Sequence, residues 1–198
     1  MQPQNLFNVF NDLFVQPFVS VPDETNGVYG LTMTEDSADA KLRQVSIRNV
    51  PKNSLLLNTQ NYSKLNLGNA LKTVFKSKIG LFKCCDYVIL TVARKQLYAI
   101  FIEMKSNSVN PAEVITQFKG AGCFVEYCGA IARYFHDAPA ANLLSLQTRY
   151  VLFASKAFNK TTTKIRNYQK HSSPDNYARP PLGVGKGNAS YIMFDKLL

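Results

Sequence analysis

The chain has 198 residues, of which 46% are hydrophobic, and its 23 Lys and Arg against 13 Asp and Glu give a formal net charge of +10. This length predicts one domain, and the hydrophobic content excludes a disordered chain. A compact protein this basic favours polyanionic partners, nucleic acid above all, although charge alone leaves an ordinary basic protein open. No apolar run approaches the roughly 20 residues of a membrane-spanning helix and the N-terminus lacks signal-peptide features, so we expect an intracellular protein without a membrane partner.

The first part of the chain, residues 1–60, is predicted to form an extension that covers the core. Aromatic residues are mixed here with Asn, Pro and Gly without a clear period, and a short helix is expected around Phe7–Phe14. The segment TEDSAD, residues 34–39, is typical of a helix start, and Gln44–Val50 alternates as a short strand does.

The predicted core, residues 61–156, begins with a helix and a strand hairpin. Over residues 61–80, an apolar stripe at helical spacing lies opposite several lysines. Residues 81–93 and 97–105 are dense in aromatic and β-branched side chains, which indicates two strands. The short polar stretch between them predicts an antiparallel hairpin.

A long helix and a third buried strand complete the predicted core. Asn110 can cap the helix, Pro111 suits its first turn, and Glu113 occupies the position of a capping-box acid. Gly120 and Gly122 weaken the helix but allow close packing against a sheet. The strand is expected over residues 146–156.

The C-terminal part, residues 157–198, is basic and shows little periodicity, which predicts a loop or a surface arm that ends in an edge strand at Tyr191–Phe194. His136 is predicted to be a cation at a helix C-terminus, and His171 to be a solvated side chain. The cysteine spacing fits no zinc knuckle, so we expect buried thiols in a reducing compartment. The four cysteines are Cys84, Cys85, Cys123 and Cys128.

Three ionisable residues stand out on the two apolar strands of the hairpin. Asp86 lies in the first strand, and Glu103 and Lys105 lie near the end of the second. Side chains two residues apart on a strand point to one face, so Glu103 and Lys105 project together while Met104 points into the core on the other side. Carboxylates on buried strands are costly unless they are paired or bind a metal. A solvated ion pair of small energetic value is the alternative.

Asp86 and the Glu103-Met104-Lys105 triplet resemble the motif of the PD-(D/E)XK nuclease superfamily, over roughly residues 60–156. The order of strand hairpin, long helix and strand is also similar to the core of that family. The resemblance implies an α/β fold with a central mixed sheet flanked by helices, the restriction-endonuclease-like core. This chain departs from the pattern in having Cys85 in place of the proline before the first acid.

The resemblance further implies a divalent metal, Mg²⁺ or alternatively Mn²⁺, held by Asp86, Glu103 and the main-chain carbonyl of Met104. Oxygen ligands suit such a hard cation, and the metal polarises the phosphoryl group and generates the nucleophile. Lys105 would position or deprotonate the attacking water. Gln117, on the helix after the triplet, would lie beside the site, as in RecB-like nucleases.

A second metal depends on a further acid, which many members of the family carry on the helix before the hairpin. Residues 61–80 contain no acid, so Glu35 or Asp39 would supply it, or no residue does. The implied function is an endonuclease or exonuclease that hydrolyses phosphodiester bonds of DNA, or of RNA. The alternative is a catalytically inactive subunit of the same fold that binds nucleic acid or protein, and a homo-oligomer is also open.

Basic residues interleaved with aromatic ones over residues 156–179, together with the lysines of the predicted helix over 61–80, predict a nucleic-acid surface, because lysine and arginine neutralise phosphates and aromatic rings stack on bases. An ordinary solvated surface is the alternative. The candidate nucleic-acid-binding residues are Lys72, Lys76, Lys156, Lys160, Lys164, Arg166, Tyr168 and Lys170.

Overall fold

The helices and strands of the protein come from a computed structural model. The structure describes residues 3–15, 18–35, 39–60, 83–106, 108–136, 146–155, 171–184 and 190–198, with side chains from residue 8 onward. These residues form α1 (Pro3–Leu13), β1 (Val19–Ser20), β2 (Asp23–Thr25), β3 (Val28–Thr34), β4 (Gln44–Arg48), β5 (Ser54–Asn58), β6 (Tyr87–Ala93), β7 (Gln96–Lys105), α2 (Pro111–Phe135), β8 (Gln147–Ala154), β9 (Gly183–Val184), β10 (Ser190–Met193) and a final 3₁₀ turn (Phe194–Leu197).

The first sheet has five strands in the order β1-β5-β6-β7-β8. The predicted hairpin is confirmed, since β6 and β7 pair antiparallel from Tyr87↔Ile102 to Ala93↔Gln96. Its turn residues, Arg94 and Lys95, both have positive φ, at 49° and 62°. Two left-handed residues match the right-handed twist of paired strands, which explains why so short a connection suffices.

The third predicted strand is confirmed as β8, and it runs parallel to β7. Parallel neighbours need a long crossover, and α2 supplies it. The Asn110 side chain accepts a hydrogen bond from the Ala112 N–H at 3.1 Å, and Pro111 is the first helical residue, so the predicted start of the helix is confirmed. The helix continues through Gly120, which is buried among the residues that face the sheet.

The second sheet also has five strands, in the order β2-β3-β4-β10-β9. It too is mixed, because β10 runs parallel to β4 and the other pairs are antiparallel. The prediction of a C-terminal edge strand is wrong in its position, since β10 lies between β4 and the two-residue β9. Because β10 pairs with a strand on each side, this short segment of mixed polarity forms a strand.

The two sheets and the helices form three layers with two apolar cores. On one face of the first sheet, Phe10 of α1 and Phe118 of α2 pack on Val88 and Phe101. The other face packs Ile100, among others, on the second sheet. The predicted α/β fold with a mixed sheet is therefore confirmed. The predicted helices on both faces are not: in the described part of the chain, helices cover one face of the first sheet and a second sheet covers the other.

Burial on both faces follows from the strand sequences. Residues 97–104 are all buried, and seven of these eight are apolar, so neither face of β7 can be left in water. A strand with one solvated face would instead alternate apolar and polar residues. Among the described helices, none is long and apolar enough to cross a membrane.

The N-terminal part contributes more than a cover. The expected helix around Phe7–Phe14 is confirmed as α1, and the strand expected from Gln44 is confirmed as β4. Residues 19–58 supply five strands, and β5 lies inside the first sheet. No helix follows TEDSAD, because residues 39–43 are turn and coil and β4 begins at once. Residues 36–38 and the predicted helix over 61–80 lie outside the described residues.

Candidate active site

The three predicted side chains meet at one end of β6 and β7, two inner strands of the first sheet. Asp86 immediately precedes β6, and continuation of the β6–β7 register places it opposite Glu103 near the end of β7. Asp86, Glu103 and Lys105 share the face of the sheet that carries Val88 and Phe101, which is the face covered by α2. Met104 points into the other core, as predicted.

Asp86 is held in place by main-chain hydrogen bonds from two neighbouring strands. Its carboxylate Oδ2 accepts a hydrogen bond from the Met104 N–H at 2.7 Å. Its own carbonyl accepts one from the Thr59 N–H, just after β5, at 2.9 Å. Thr59 also donates its hydroxyl to the Cys85 carbonyl. The orientation of the Asp86 carboxylate is thus set by backbone rather than by flexible side chains.

Glu103 is completely buried, which is rare for a carboxylate. The Lys105 ammonium lies 2.6 Å from its Oε1. Neither oxygen has a hydrogen bond of good geometry with a described residue, and the same holds for Oε1 of Gln117. Burial and the neighbouring Asp86 raise the pKa of Glu103, while Lys105 and the Gln117 side chain lower it. The net effect is a raised pKa, with burial as the largest cause.

The pKa of Asp86 is also raised by burial, although the Met104 N–H and Lys105 lower it. Glu35, just beyond β3, adds to the increase and therefore lies close to Asp86. Burial disfavours the Lys105 ammonium, but the Glu103 and Asp86 carboxylates outweigh this and raise its pKa. Lys105 is consequently a charged donor in this site at neutral pH.

Two carboxylates and one main-chain carbonyl are the oxygen donors that fit a hard divalent cation here. Asp86 and Glu103 face each other across adjacent strands, and the Glu103 Oε2 lacks a partner that a cation would supply. No group of three His, Cys, Asp or Glu side chains suited to a metal occurs in the described part of the chain. A cation would therefore complete its shell with water and with the Met104 carbonyl.

Gln117 lies near this carboxylate pair, where the resemblance implied that it would lie. Its side chain lowers the pKa of Glu103, which places the amide close to the Glu103 carboxylate. Tyr127, ten residues further along α2, has 53% of its surface exposed and points into solvent. Tyr127 therefore lies outside the site.

Two ionic residues at the rim, Lys83 and Glu113, were not identified from the sequence as part of the site. Glu113 lies in the first turn of α2, at the predicted capping-box position, and its Oε1 lies 3.3 Å from the Lys83 Nζ. It also raises the pKa of Lys105, which places it near that ammonium. The signal for Glu113 was its spacing of four residues from Gln117, which puts both on one face of a helix.

The candidate nucleic-acid-binding residues lie outside the described residues. They are Lys72, Lys76, Lys156, Lys160, Lys164, Arg166, Tyr168 and Lys170. Gln60 and Ser155 are the last described residues before residues 61–82 and 156–170, respectively. Gln60 follows Thr59, which bonds Asp86, and Ser155 donates its N–H to the Lys105 carbonyl at 3.2 Å.

Two of the secondary candidates differ from their predictions. His171 is buried rather than solvated, with Nε2 3.1 Å from the Leu197 carbonyl, because residues 171–178 lie against β8. His136 caps the C-terminus of α2 and is exposed, as predicted. Cys123 is exposed, which corrects its assignment as a buried thiol.

All four cysteines are free thiols, and Cys85 and Cys128 are buried as predicted, whereas Cys84 is half-buried. Burial raises the pKa of Cys84 and of Cys128 to about 12, so neither is a thiolate nucleophile at neutral pH. The cysteines near the site therefore add packing rather than chemistry.

Comparison with known proteins identifies no relative of this chain. No protein-family model, no curated protein and no solved structure matches it.

Proposed function

We propose that this protein is a metal-dependent nuclease that hydrolyses phosphodiester bonds in nucleic acid, with DNA favoured by the resemblance of its motif. The observation that carries the proposal is the meeting of Asp86, Glu103 and Lys105 on one face at one end of β6 and β7. A buried carboxylate pair with raised pKa values is destabilising in itself, and such arrangements concentrate at functional sites.

The order of elements around the site supports a restriction-endonuclease-like core. The hairpin β6–β7, the crossover helix α2 and the parallel strand β8 follow each other in the order of that core. The second sheet, which covers the other face, is a departure from a sheet flanked by helices on both sides. Glu35, just beyond β3 of that sheet, lies near Asp86, so the second sheet borders the site.

Asp86, Glu103 and the Met104 carbonyl would hold the cation, and Mg²⁺ is the first candidate because all three donors are oxygen. When bound, the metal lowers the pKa of a coordinated water and offsets charge on the phosphate. The Lys105 ammonium, on the same face two residues from Glu103, would orient that water and neutralise charge that develops on the phosphate oxygens. The Gln117 amide would donate a hydrogen bond beside them.

The net charge of +10 supports a polyanionic substrate, since lysines and arginines hold phosphates without reading sequence. Ser155, the last described residue before the second basic segment, donates its N–H to the Lys105 carbonyl. The affinity for such a substrate should decrease steeply with salt.

The deciding experiment measures cleavage of supercoiled plasmid, linear duplex DNA and single-stranded RNA with Mg²⁺, with Mn²⁺ and with EDTA. Glu103→Gln removes one ligand charge and keeps the shape. It should slow cleavage at least about 100-fold, because metal stabilisation of the transition state is worth several kcal/mol. Glu126→Gln, an exposed position on α2, is the matched control and should leave the rate unchanged.

The outcomes separate the nuclease from the inactive subunit. Metal-dependent cleavage that Glu103→Gln abolishes, with nucleic-acid binding retained, supports the enzyme. Binding by the intact chain without cleavage under either metal supports a catalytically inactive subunit. Cleavage that survives in EDTA would contradict the proposal.

A further inference from the structure

A row of four side chains with alternating charge runs from solvent to the buried carboxylate. The side chain of Lys83 is 54% exposed, that of Glu113 is 42% exposed, that of Lys105 is 22% exposed and that of Glu103 is not exposed. Neighbours in the row are close: Lys83 Nζ lies 3.3 Å from Glu113 Oε1, and Lys105 Nζ lies 2.6 Å from Glu103 Oε1. The two pairs are linked because the Glu113 carboxylate also acts on Lys105.

The row marks the direction in which the site opens. Lys83 precedes Asp86 by three residues, and Glu113 lies in the first turn of α2, one helical turn before Gln117. The decreasing exposure from Lys83 to Glu103 means that an incoming group meets Lys83 first. The Lys83 ammonium is thus closer to solvent than Asp86, Glu103 and Lys105, the charged residues of the proposed chemistry.

We propose that Lys83 binds a phosphate of the substrate backbone at the rim of the site, and that Glu113 positions the Lys83 ammonium when no substrate is bound. This inference rests on the proposed nuclease function and adds a substrate-binding residue to it. Lys83 is a positioning residue for the substrate, and it takes no part in bond breaking.

The energetics favour exchange of Glu113 for phosphate. An exposed ion pair is worth about 0–1 kcal/mol, so Lys83 leaves Glu113 at little cost. A backbone phosphate offers an equivalent negative charge and releases counterions from the nucleic acid on binding. Without Lys83, the Glu113 carboxylate at the rim would face the approaching phosphate without its paired ammonium.

Lys119, which lies on α2 as Glu113 does, provides a matched comparison for Lys83. It too forms an exposed ion pair, with Asp175 at 3.7 Å, and its side chain is 61% exposed. Among the described residues, neither Lys119 nor Asp175 forms an ion pair with Asp86, Glu103 or Lys105. A general effect of surface charge would therefore appear in both lysines, whereas a rim contact would appear in Lys83 alone.

The test compares Lys83→Gln with Lys119→Gln in Mg²⁺-dependent cleavage of linear duplex DNA. For Lys83→Gln we expect KM to rise about 3- to 10-fold with kcat nearly unchanged, and the slope of log K against log salt to fall by about one, as for loss of one phosphate contact. Binding is measured in a Glu103→Gln background to prevent cleavage. Lys83→Arg should restore both values, and Lys119→Gln should have at most a small effect on either.

Glu113→Gln supplies a second, independent measurement. If Glu113 competes with phosphate for Lys83, this variant should lower KM about 2- to 5-fold, and the gain should disappear when Lys83→Gln is added. An unchanged KM and salt slope in Lys83→Gln, in a wild-type protein that cleaves DNA, would overturn the rim contact and leave the nuclease intact. A wild-type protein that neither cleaves nor binds nucleic acid overturns both.

Discussion

The carboxylate of Glu103 is buried beside a second carboxylate, Asp86, with one ammonium to serve both. Strand alternation is sufficient to predict that Glu103 and Lys105 share a face, and the apolar runs around them predict burial. Glu35 was named only as one of two candidates for a further acid, and the place of Glu113 beside Lys83 was not predicted. Both positions depend on the path of the chain after β3 and on the angle of α2, which no local pattern specifies. Strand geometry therefore predicted the Glu103 and Lys105 pair directly, whereas the acids placed by packing were predicted incompletely or not at all.

The stability of the metal-free protein should fall as the pH rises. Burial raises the pKa of Glu103 to about 8, from an ordinary value of 4.5. Between these values the folded chain binds more protons than the unfolded chain, so the free energy of unfolding decreases with increasing pH. We expect a loss of at least about 2 kcal/mol between about pH 5 and about pH 8, measured by urea unfolding in EDTA.

Two comparisons isolate this effect. Glu103→Gln cannot titrate, so its stability should vary less with pH than that of the wild type and should exceed it at about pH 8. Added Mg²⁺ should stabilise the wild type at the higher pH, where the carboxylates are ionised, and should have little effect on the variant. A wild-type stability that rises steadily over this range would contradict the burial of an acidic pair.

Lys105 would compete with a bound metal for the Glu103 carboxylate, because its ammonium lies 2.6 Å from Oε1. Lys105→Met keeps the aliphatic length and removes the charge. We expect Mg²⁺ or Mn²⁺ to bind the variant several-fold more tightly, measured by calorimetry, while cleavage is lost. Weaker metal binding in Lys105→Met would mean that the lysine supports the metal site instead of competing with it.

Among the helices and strands, sequence patterns predicted correctly those that depend on local contacts. The β6–β7 hairpin spans two turn residues, and the start of α2 is specified by Asn110 and Pro111 within one turn. The second sheet depends on contacts of another kind. Its β10 pairs with β4, so that Ser190 lies next to Val45, and its β9 has only two residues. Neither the partner of such a strand nor its place within a sheet can be read from alternation.

Strand patterning also accounts for the second sheet, which covers the face of the first sheet where helices were predicted. Buried runs in β6 and β7 predicted a sheet covered on both faces, and helices are the usual cover for a parallel strand pair. The polar and glycine-containing strands β3 and β4 alternate, with Leu31, Met33, Val45 and Ile47 buried and their neighbours outward. One-sided alternation of this kind is typical of a sheet with a solvated face. That combination accounts for a second sheet as the outer layer.

At the scale of the whole molecule, the first sheet is shared by both cores, and this makes the two cores a single cooperative unit. Leu55 and Leu56 are adjacent on β5, both are almost fully buried, and they face opposite sides: Leu55 toward the helices and Leu56 toward the second sheet. Truncation of Leu55 therefore probes the core beneath the helices, and truncation of Leu56 probes the core beneath the second sheet. The two residues have the same side chain and adjacent positions on one strand, so the two effects can be compared directly.

Leu55→Ala and Leu56→Ala should each lower the free energy of unfolding by about 2–5 kcal/mol, since each leaves a cavity in a packed core. Urea unfolding should show one transition in both variants, because neither core can lose its packing without exposing the sheet that supports the other. Val21→Ala, at an exposed position, is the control and should change stability by less than about 0.5 kcal/mol. A small effect of Leu56→Ala alone would mean that the second sheet covers the first only loosely. A second transition would mean that the outer layer unfolds separately from the layer that holds the carboxylates.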